Sequence, residues 1–580
     1  MEKRMKVFKG HQAGNIQNFK ELLNRAAEKY ADEVAFEYKK DATSKTPEYI
    51  KHTFREYKEE AENLGTALLN MGLENKRIAV VGPNRYEWCT TYISVLAGNM
   101  VIVPLDKALP EEEMKSLLLR SEAEAIVFDQ KYLPMLEKLK KENSSHLKYY
   151  ICMDPVENEE FLYYGNLIKD GKLARENGDN KYDNVTIDKD KMSVMLFTSG
   201  TTAISKAVML SQYNICSNIN DMPHFVMMYP TDVLLSFLPI HHTFECTITF
   251  LYGCLYCGAT IAFCDGLKYV TANLKEYGVT VFVAVPLMLE TMYKKIRKEI
   301  EKQGKTKLID TVSPVANSLA KIHIDLRRKI FKQILNNLGG KLRLVLYGGA
   351  PMEKSTVKGL ASFGIDMVQG YGLTETSPVI TAETDHYKRP GSCGLVMRSD
   401  EMKIDNPDED GIGEIVVKGP NVMLGYYENE EATNEVLKDG WFYTGDVGYF
   451  DKDGFLYITG RKKDVIVLKN GKNVFPLEIE FLISKLPYVQ EVMVYGKPIK
   501  NNDFLVSAKI VYNEEAMKEL YPDKTKKDYY NIIWLDIKEK INPTMPDYRH
   551  VKEILVTDEP LVKTTTQKVK RAEEFKKLGI

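Results

Sequence analysis

RIAVVGPNRYEWCTTYISVLAGNMVIVP, residues 77–104, switches twice between two periodicities. Arg77-Ile-Ala-Val-Val-Gly82 is an unbroken apolar run, the pattern of a strand covered on both faces, and Pro83-Asn84 supplies its turn. The next segment has helical spacing and ends at Gly98; Met100-Val-Ile-Val-Pro104 is then a second strand. The same kind of short apolar run returns at Ala125-Ile-Val-Phe128, Val281-Phe-Val-Ala-Val285 and Leu342-Arg-Leu-Val-Leu346. Strand, helix and strand at this rhythm predict an α/β protein with largely parallel sheets. From Gly411 the texture changes. GIGEIVVKGP and DGFLYITG are Gly-bounded strands without intervening helices, which predicts a β-rich subdomain over about 390–460. After Arg461 a shorter mixed unit runs to the end, and no internal repeat is visible.

At 580 residues the chain is too long for one ordinary core, which predicts two to four domains. Its 79 lysines and arginines against 81 aspartates and glutamates argue against a dedicated nucleic-acid binder. Eight cysteines are too sparse for a disulfide framework. The amino terminus is basic but lacks the apolar run of a signal peptide, so the expected location is cytoplasmic. Cys246 to Cys264 carries no charge and nears the length of a membrane span. Its threonines, tyrosines and glycines favour a buried helix to about Cys257, a turn at Gly258 and a strand TIAFC. Cys254 and Cys257 in that segment then read as core cysteines, not as half of a zinc site. The charged, mostly basic stretch from Lys294 to Lys307 reads as a solvated helix face.

The densest chemical signal is Phe197-Thr-Ser-Gly-Thr-Thr-Ala-Ile-Ser-Lys206, where a strand from Ser193 feeds a hydroxyl-rich loop ending in lysine. Backbone N–H groups near Gly200, the hydroxyls and the Lys206 charge suit phosphate oxygens, although the Walker pattern is absent. Leu344-Val-Leu-Tyr-Gly-Gly-Ala-Pro351 ends a buried strand in a turn that admits a ligand close to the backbone. In Gln369-Gly-Tyr-Gly-Leu-Thr-Glu375 an aromatic between glycines can face a flat base, and Thr374 and Glu375 offer a hydroxyl and a hard carboxylate for Mg²⁺. Gly440-Trp-Phe-Tyr-Thr-Gly-Asp446 puts a carboxylate after a glycine, suited to ribose hydroxyls, and Thr459-Gly-Arg-Lys-Lys-Asp464 follows it. Asn470-Gly-Lys-Asn-Val-Phe-Pro-Leu-Glu-Ile-Glu480 is a glycine turn leading into a helix, and Thr564-Thr-Thr-Gln-Lys-Val-Lys-Arg571 is a basic tail segment.

In this order, from Thr53-Phe-Arg-Glu56 to Arg571, these segments resemble the adenylate-forming superfamily of acyl-CoA synthetases, peptide-synthetase adenylation domains and firefly-type luciferases. The resemblance implies a large amino-terminal domain over 1–460, a hinge at 461–463 with Lys463 at its pivot, and a small mobile α+β lid over 464–580. It implies ATP, Mg²⁺ and coenzyme A, with acyl-AMP formed first and a thiol taking the acyl group second. By match, Thr198, Ser199, Gly200, Thr201, Thr202 and Lys206 would bind the β- and γ-phosphates. Thr201 and Glu375 would hold Mg²⁺. Gly348, Gly349, Ala350, Tyr371 and Gly372 would surround the adenine, and Asp446 and Arg461 the ribose. Thr374 would sit near the α-phosphate and the acyl carbonyl, Lys568 would assist adenylation, and Gly471 and Lys472 would act from the lid.

The match has departures. The family's phosphate loop usually reads T-G-x-P-K-G, whereas this chain has Thr202-Ala203-Ile204-Ser205-Lys206-Ala207, and Gln567 stands where glycine is usual. A non-catalytic nucleotide-binding homologue is the rival that these changes raise. Leu238-Pro-Ile-His-His-Thr-Phe-Glu245 resembles the acyl-pocket entrance of fatty acyl-CoA synthetases, with His242 at the gate of the thiol tunnel. The Asp that pairs an amino-acid ammonium in adenylation domains is missing there, and no carrier-protein segment follows the last motif. The expected substrate is therefore a medium- or long-chain fatty acid, with CoA or an acyl carrier protein as acceptor. A peptide-synthetase-type adenylation enzyme is the alternative. No transmembrane segment is expected, and peripheral membrane contact is compatible with the pattern.

Overall fold

The computed structural model describes residues 15–44, 46–198, 205–321, 324–350, 352–469, 472–499, 503–564 and 568–580. The chain divides into two compact units. The larger takes in the described residues of 1–198, 206–401 and 417–442; the smaller takes in Ser205 and those of 402–416 and 443–580.

The larger unit holds two sheets. One has nine strands in the order Leu395–Val396, Val379–Ala382, Asp366–Gly372, Leu344–Tyr347, Val281–Ala284, Val233–Ser236, Thr260–Phe263, Val34–Lys39 and Tyr49–Thr53. Its interior pairings are parallel and those at both edges are antiparallel. The other has eight strands, Gly425–Tyr426, Lys206–Ser211, Met192–Thr198, Val101–Pro104, Arg77–Val81, Ala125–Phe128, Tyr149–Cys152 and Leu162–Tyr163. It is parallel from Met192–Thr198 onward. The class is α/β, as the periodicities of residues 77–104 predict. Arg77–Val81 lies between Val101–Pro104 and Ala125–Phe128, and the intervening helix Tyr86–Ala97 is buried at every position but Glu87. Burial on this scale supplies the stability, since each fully buried Val or Ile contributes roughly 1.5–3 kcal/mol.

Parallel strands present their carboxyl ends at one edge, where ligands bind in open α/β sheets. In the nine-stranded sheet those ends include Ser236, Phe263, Ala284 and Tyr347. The loops that follow them begin at Phe237, Cys264, Val285 and Gly348.

Residues 246–264 form a buried helix, a turn and a strand. A single helical turn, Thr243–Glu245, continues as a π-helix over Cys246–Tyr256 that is buried throughout. Gly258, at φ 83°, makes the turn, and Thr260–Phe263 is the strand. No helix among the described residues is long and apolar enough to cross a membrane. Cys254 and Cys257 are free and buried, and burial pushes the Cys257 thiol up to about 12.

A five-stranded sheet contains Glu401–Asp405, Gly413–Lys418, Trp441–Phe450, Leu437–Lys438 and Leu456–Arg461. It departs from the sequence expectation in one respect: a helix, Glu430–Val436, intervenes between its strands. Asn429 caps that helix by accepting from the Ala432 N–H, and two glutamates in the first turn complement the helix dipole. The basic stretch 294–307 is likewise not one helix. It breaks at Gly304, φ 64°, between Pro286–Lys302 and Thr306–Lys321.

The smaller unit ends in an α+β layer. Val489–Ile499 pairs antiparallel with Asp503–Tyr512, which pairs parallel with Glu553–Thr557. Alternate residues of the first strand serve two clusters. Val494 packs with Ile479, Ile483 and Ile533, whereas Met493 and Tyr495 pack with Leu561 and Phe575 of the carboxyl-terminal segment. A buried ion pair, Lys509 to Glu574 at 2.7 Å, ties that segment's helix Arg571–Leu578 to the middle strand.

Candidate active site

In the larger unit the buried strand Leu344–Tyr347 runs out into Gly348-Gly349-Ala350. A Cβ on buried Gly348 would lie 2.8 Å from the Gly370 carbonyl oxygen and 3.8 Å from the Phe244 ring. Only bare backbone fits where these three segments converge. Gly349, at φ 83°, is exposed and has open space where a Cβ would be, so a flat ligand can approach it closely. The adjacent strand carries Tyr371, which is half-buried and pairs with Thr381. A Cβ on Gly372 would collide with the Pro378 carbonyl, at 1.7 Å.

The turn after Gly372 holds Thr374 and Glu375, both half-buried, in a 3₁₀ helix. Thr376 fixes this turn: its hydroxyl oxygen accepts from the Leu373 N–H at 3.0 Å and lies 2.9 Å from the Pro378 carbonyl. The Glu375 carbonyl accepts from the Met423 N–H at 2.8 Å, and its carboxylate accepts from the Tyr426 hydroxyl at 3.0 Å. The ring of the same tyrosine lies 4.7 Å beneath the Lys206 ammonium, a cation–π contact. Thr198 and Lys206 are paired across neighbouring antiparallel strands. Ser199, Gly200, Thr201 and Thr202 lie outside the described residues, as do Ala203 and Ile204.

The segment 238–245 is pinned from below. Asn84 donates to the Ser236 hydroxyl at 2.9 Å and to the Leu238 carbonyl at 2.6 Å, and Ser236 donates to Glu245 at 2.7 Å. Glu245 is fully buried, and burial pushes its carboxyl up to about 8 against the Ser236 hydrogen bond. His242 is half-buried and opens the turn Thr243–Glu245. Its neighbour His241 stands 3.7 Å from Asp106, and burial holds that imidazole below its ordinary range.

In the smaller unit Asp446 and Arg461 face each other on paired strands and form an ion pair at 2.8 Å. Gly445, at φ 70°, turns the chain before Asp446, and Glu414 accepts from its N–H while pairing with Lys462 at 2.6 Å. Lys463 is exposed in the 3₁₀ turn Lys462–Asp464. Lys472 is exposed with its ammonium 5.8 Å over the Tyr548 ring; Gly471 lies outside the described residues. Exposed Lys568 is held through its backbone: its N–H donates to the Thr564 hydroxyl at 3.1 Å and its carbonyl accepts the Thr564 N–H at 2.8 Å. The next cations along are committed elsewhere. Lys570 pairs with Glu573 at 2.9 Å, and Arg571 binds Glu480, Asp464 and the Val494 carbonyl.

The larger unit thus brings Lys206 and Glu375 to one tyrosine, and Gly348 to Gly370 and Phe244. The smaller unit brings Asp446 to Arg461 and holds the Lys568 backbone against Thr564. Sequence reasoning missed Tyr426 and Asn84. Gly425-Tyr-Tyr427, two aromatics after a glycine, is the available signal for the first; Pro83-Asn84 carries only the signature of a turn. The donor set suits a nucleotide: a bare Gly348-Gly349 backbone for a base, an ammonium at Lys206 and a carboxylate at Glu375 for a hard cation. Among the described residues no group of three or more His, Cys, Asp or Glu is placed to hold a metal ion.

Residues 23–427 match the family described as "AMP-binding enzyme", and residues 463–578 match "AMP-binding enzyme C-terminal domain". Fatty acyl-CoA synthetase B of Dictyostelium discoideum is 30% identical over 519 residues, covering 83% of this chain and 75% of that protein. A long-chain-fatty-acid–[acyl-carrier-protein] ligase of Arabidopsis thaliana is 26% identical, covering 95% of this chain and 84% of its own. Among solved structures, an anthranilate CoA ligase in complex with anthranoyl-AMP superposes with a TM-score of 0.75 at 19% identity, covering 98% of each chain. A Mycobacterium tuberculosis fatty acyl CoA synthetase superposes with a TM-score of 0.64 at 21% identity, covering 97% of this chain and 98% of that one.

Proposed function

The chain belongs to the AMP-binding enzyme family and is an enzyme of the AMP-forming acyl-CoA synthetase type, and on that footing we propose that it activates a medium- or long-chain fatty acid and passes it to coenzyme A. The observation that supports this most is the convergence of Lys206 and Glu375 on Tyr426, in a unit that also holds a glycine backbone open to a base. In the proposed reaction a carboxylate oxygen of the acid attacks the α-phosphorus of ATP and pyrophosphate leaves. The thiolate sulfur of CoA then attacks the acyl carbonyl, and AMP leaves.

Each chain residue has a proposed task. Thr198 to Thr202 and Lys206 hold the β- and γ-phosphates, and the Lys206 charge stabilises the oxygens that turn into pyrophosphate. Gly348, Gly349, Ala350, Tyr371 and Gly372 border the adenine. Glu375 and Thr201 orient Mg²⁺, which, when bound, neutralises developing phosphate charge. Thr374 lies near the α-phosphate, Asp446 and Arg461 take the ribose, and His242 borders the thiol path. Lys568 supplies positive charge in the first step only, while Gly471 and Lys472 act from the lid, 464–580, which turns about Lys463 relative to residues 1–460. We place the enzyme in the cytoplasm.

Chain length is supported by the His242-Thr-Phe-Glu245 pattern and by the relatives' names. A carrier-protein acceptor is the second proposal, and the named acyl-carrier-protein ligase, matched over 95% of the chain, is the observation in its favour. The test is pyrophosphate release across acetate, octanoate, palmitate, benzoate and amino acids, with CoA, with phosphopantetheinylated carrier protein and with neither. Palmitate or octanoate with CoA should turn over best. Faster turnover of acetate, benzoate or an amino acid would reject the substrate assignment, and ATP binding without AMP release for any acid would favour a non-catalytic homologue.

A further inference from the structure

The helices Pro286–Lys302, Thr306–Lys321, Arg327–Ile330 and Lys332–Asn336 belong to a segment, 286–336, that stands out from the rest of the larger unit in composition and in the exposure of its described residues. The segment holds twelve lysines and arginines against five carboxylates, in a chain whose net charge is −2. It also exposes Leu287, Leu308, Val315, Ile324, Leu326 and Ile330, each more than two-fifths accessible. Single exposed leucines need no explanation, but six in so short a segment do.

The exposed apolar residues are not failed core. Helix Thr306–Lys321 buries Ile309 and Ala316 on one side. Leu308, Thr311, Val315 and Ser318 recur at spacings of three and four along another side, and all four are exposed. Helix Pro286–Lys302 presents Lys294, Lys295, Lys298 and Lys302 to solvent, and Lys307 and Lys329 are exposed beyond it. Two of the segment's carboxylates are already taken: Asp310 pairs with Arg297 at 2.8 Å and Asp325 with Arg327 at 2.6 Å. Glu299 and Glu301 are exposed among the lysines and offset only part of their charge. Between the helices lies an apolar cavity of about 300 Å³, lined by Ile296, Ile300, Leu308, Val312, Ile330 and Ile334 among others.

We propose that this helical segment docks on an anionic lipid surface, with Leu308, Val315 and their exposed apolar neighbours entering the headgroup–acyl boundary and the surrounding lysines meeting acidic headgroups. Charge complementarity selects the partner. A second copy of this chain would bring the same basic patch against itself across a two-fold axis, which like charges oppose. An anionic bilayer instead rewards every lysine and accepts the apolar stripe, the pairing used by helices that lie in a membrane interface. The surface also adjoins the candidate site: Leu287 follows the carboxyl end of Val281–Ala284, on the same sheet edge as Gly348. A lipid-docked enzyme would meet a poorly water-soluble acid at that edge.

Sedimentation of the full chain with phosphatidylcholine vesicles, and with vesicles of equal parts phosphatidylcholine and phosphatidylglycerol, tests this. Binding to the mixed vesicles, weakened by salt and absent with phosphatidylcholine alone, is expected. The triple variant Lys294→Glu, Lys298→Glu, Lys302→Glu should bind about tenfold more weakly or worse. Leu308→Ser with Val315→Ser should also lose binding, with unchanged thermal unfolding in both variants. Leu308→Trp should show a blue-shifted emission on the mixed vesicles. Equal binding by wild type and both variants, or no binding at all, would overturn the proposal. So would a dimer in sedimentation velocity that the same substitutions dissolve.

Discussion

Glu375 and Tyr426 share a hydrogen bond in the proposed site, and their substitutions should separate its parts. Glu375→Ala should abolish turnover by removing the proposed cation ligand; a mere surface glutamate would cost about 1 kcal/mol of stability or less and little activity. Tyr426→Phe keeps the ring under Lys206 but deletes the hydrogen bond to the carboxylate, a bond of roughly 1.5–3 kcal/mol when one partner is charged. It should lower kcat without unfolding the protein, read by pyrophosphate release and a melting curve. Lys568→Ala should lose adenylation by roughly 2–4 kcal/mol of transition-state stabilisation yet still convert supplied acyl-AMP and CoA to thioester. Because Lys570 and Arg571 are engaged with Glu573, Glu480 and Asp464, they are poorly placed to substitute. Equal slowing of both half-reactions, or of neither, would contradict this assignment. Tyr426 was illegible in the sequence for a physical reason. Its meaning lies in a contact to Glu375, 51 residues earlier, and two tyrosines after a glycine have no period or spacing that announces such a partner. Glu375 was legible because the Gly-Tyr-Gly before it marks a backbone kept bare for a ligand.

At the scale of elements, two buried carboxyls should leave opposite marks on the pH dependence of stability. Burial raises Glu245 to about 8, so the folded state holds a proton that the unfolded state releases near the ordinary carboxylate value. Its contribution therefore turns against folding as pH rises from about 5 to 8. Glu245→Gln should flatten that slope by about one proton in thermal unfolding followed across pH; an unchanged slope would mean that Glu245 is ionised. Glu574 behaves in the opposite sense. Burial pushes it up, but the Lys509 ammonium and the Val562 N–H outweigh burial and hold it below the ordinary range. Its contribution is present at neutral pH and is lost as pH falls through that lowered value. Lys509→Met leaves buried Glu574 with only the Val562 N–H and the Lys577 ammonium at 4.0 Å, and should destabilise the smaller unit by about 3 kcal/mol, read by thermal unfolding. The strand and helix pattern of residues 77–104 was legible because local periodicity encodes it. The antiparallel sheet edges and the helix Glu430–Val436 were not: edge strands such as Val379–Ala382 and Leu395–Val396 are too short to show an alternation, and a seven-residue helix is too short to show a period.

For the whole molecule, the two units carry different parts of the proposed chemistry, Lys206 and Glu375 in one, Asp446, Arg461 and Lys568 in the other. Lys463→Pro, which restricts backbone rotation at the proposed pivot, should preserve one half-reaction and lose the other. The departures at Ala203, Ser205, Ala207 and Gln567 bear on whether the chemistry runs at all, and the fate of one oxygen atom decides that. With palmitate labelled by oxygen-18 in its carboxylate, in the presence of ATP, Mg²⁺ and CoA, an acyl-adenylate route transfers one labelled oxygen to AMP. Labelled AMP together with unlabelled pyrophosphate is the predicted result. Label in inorganic phosphate accompanied by ADP, or palmitoyl-CoA formed with unlabelled AMP, would contradict adenylate formation by this enzyme.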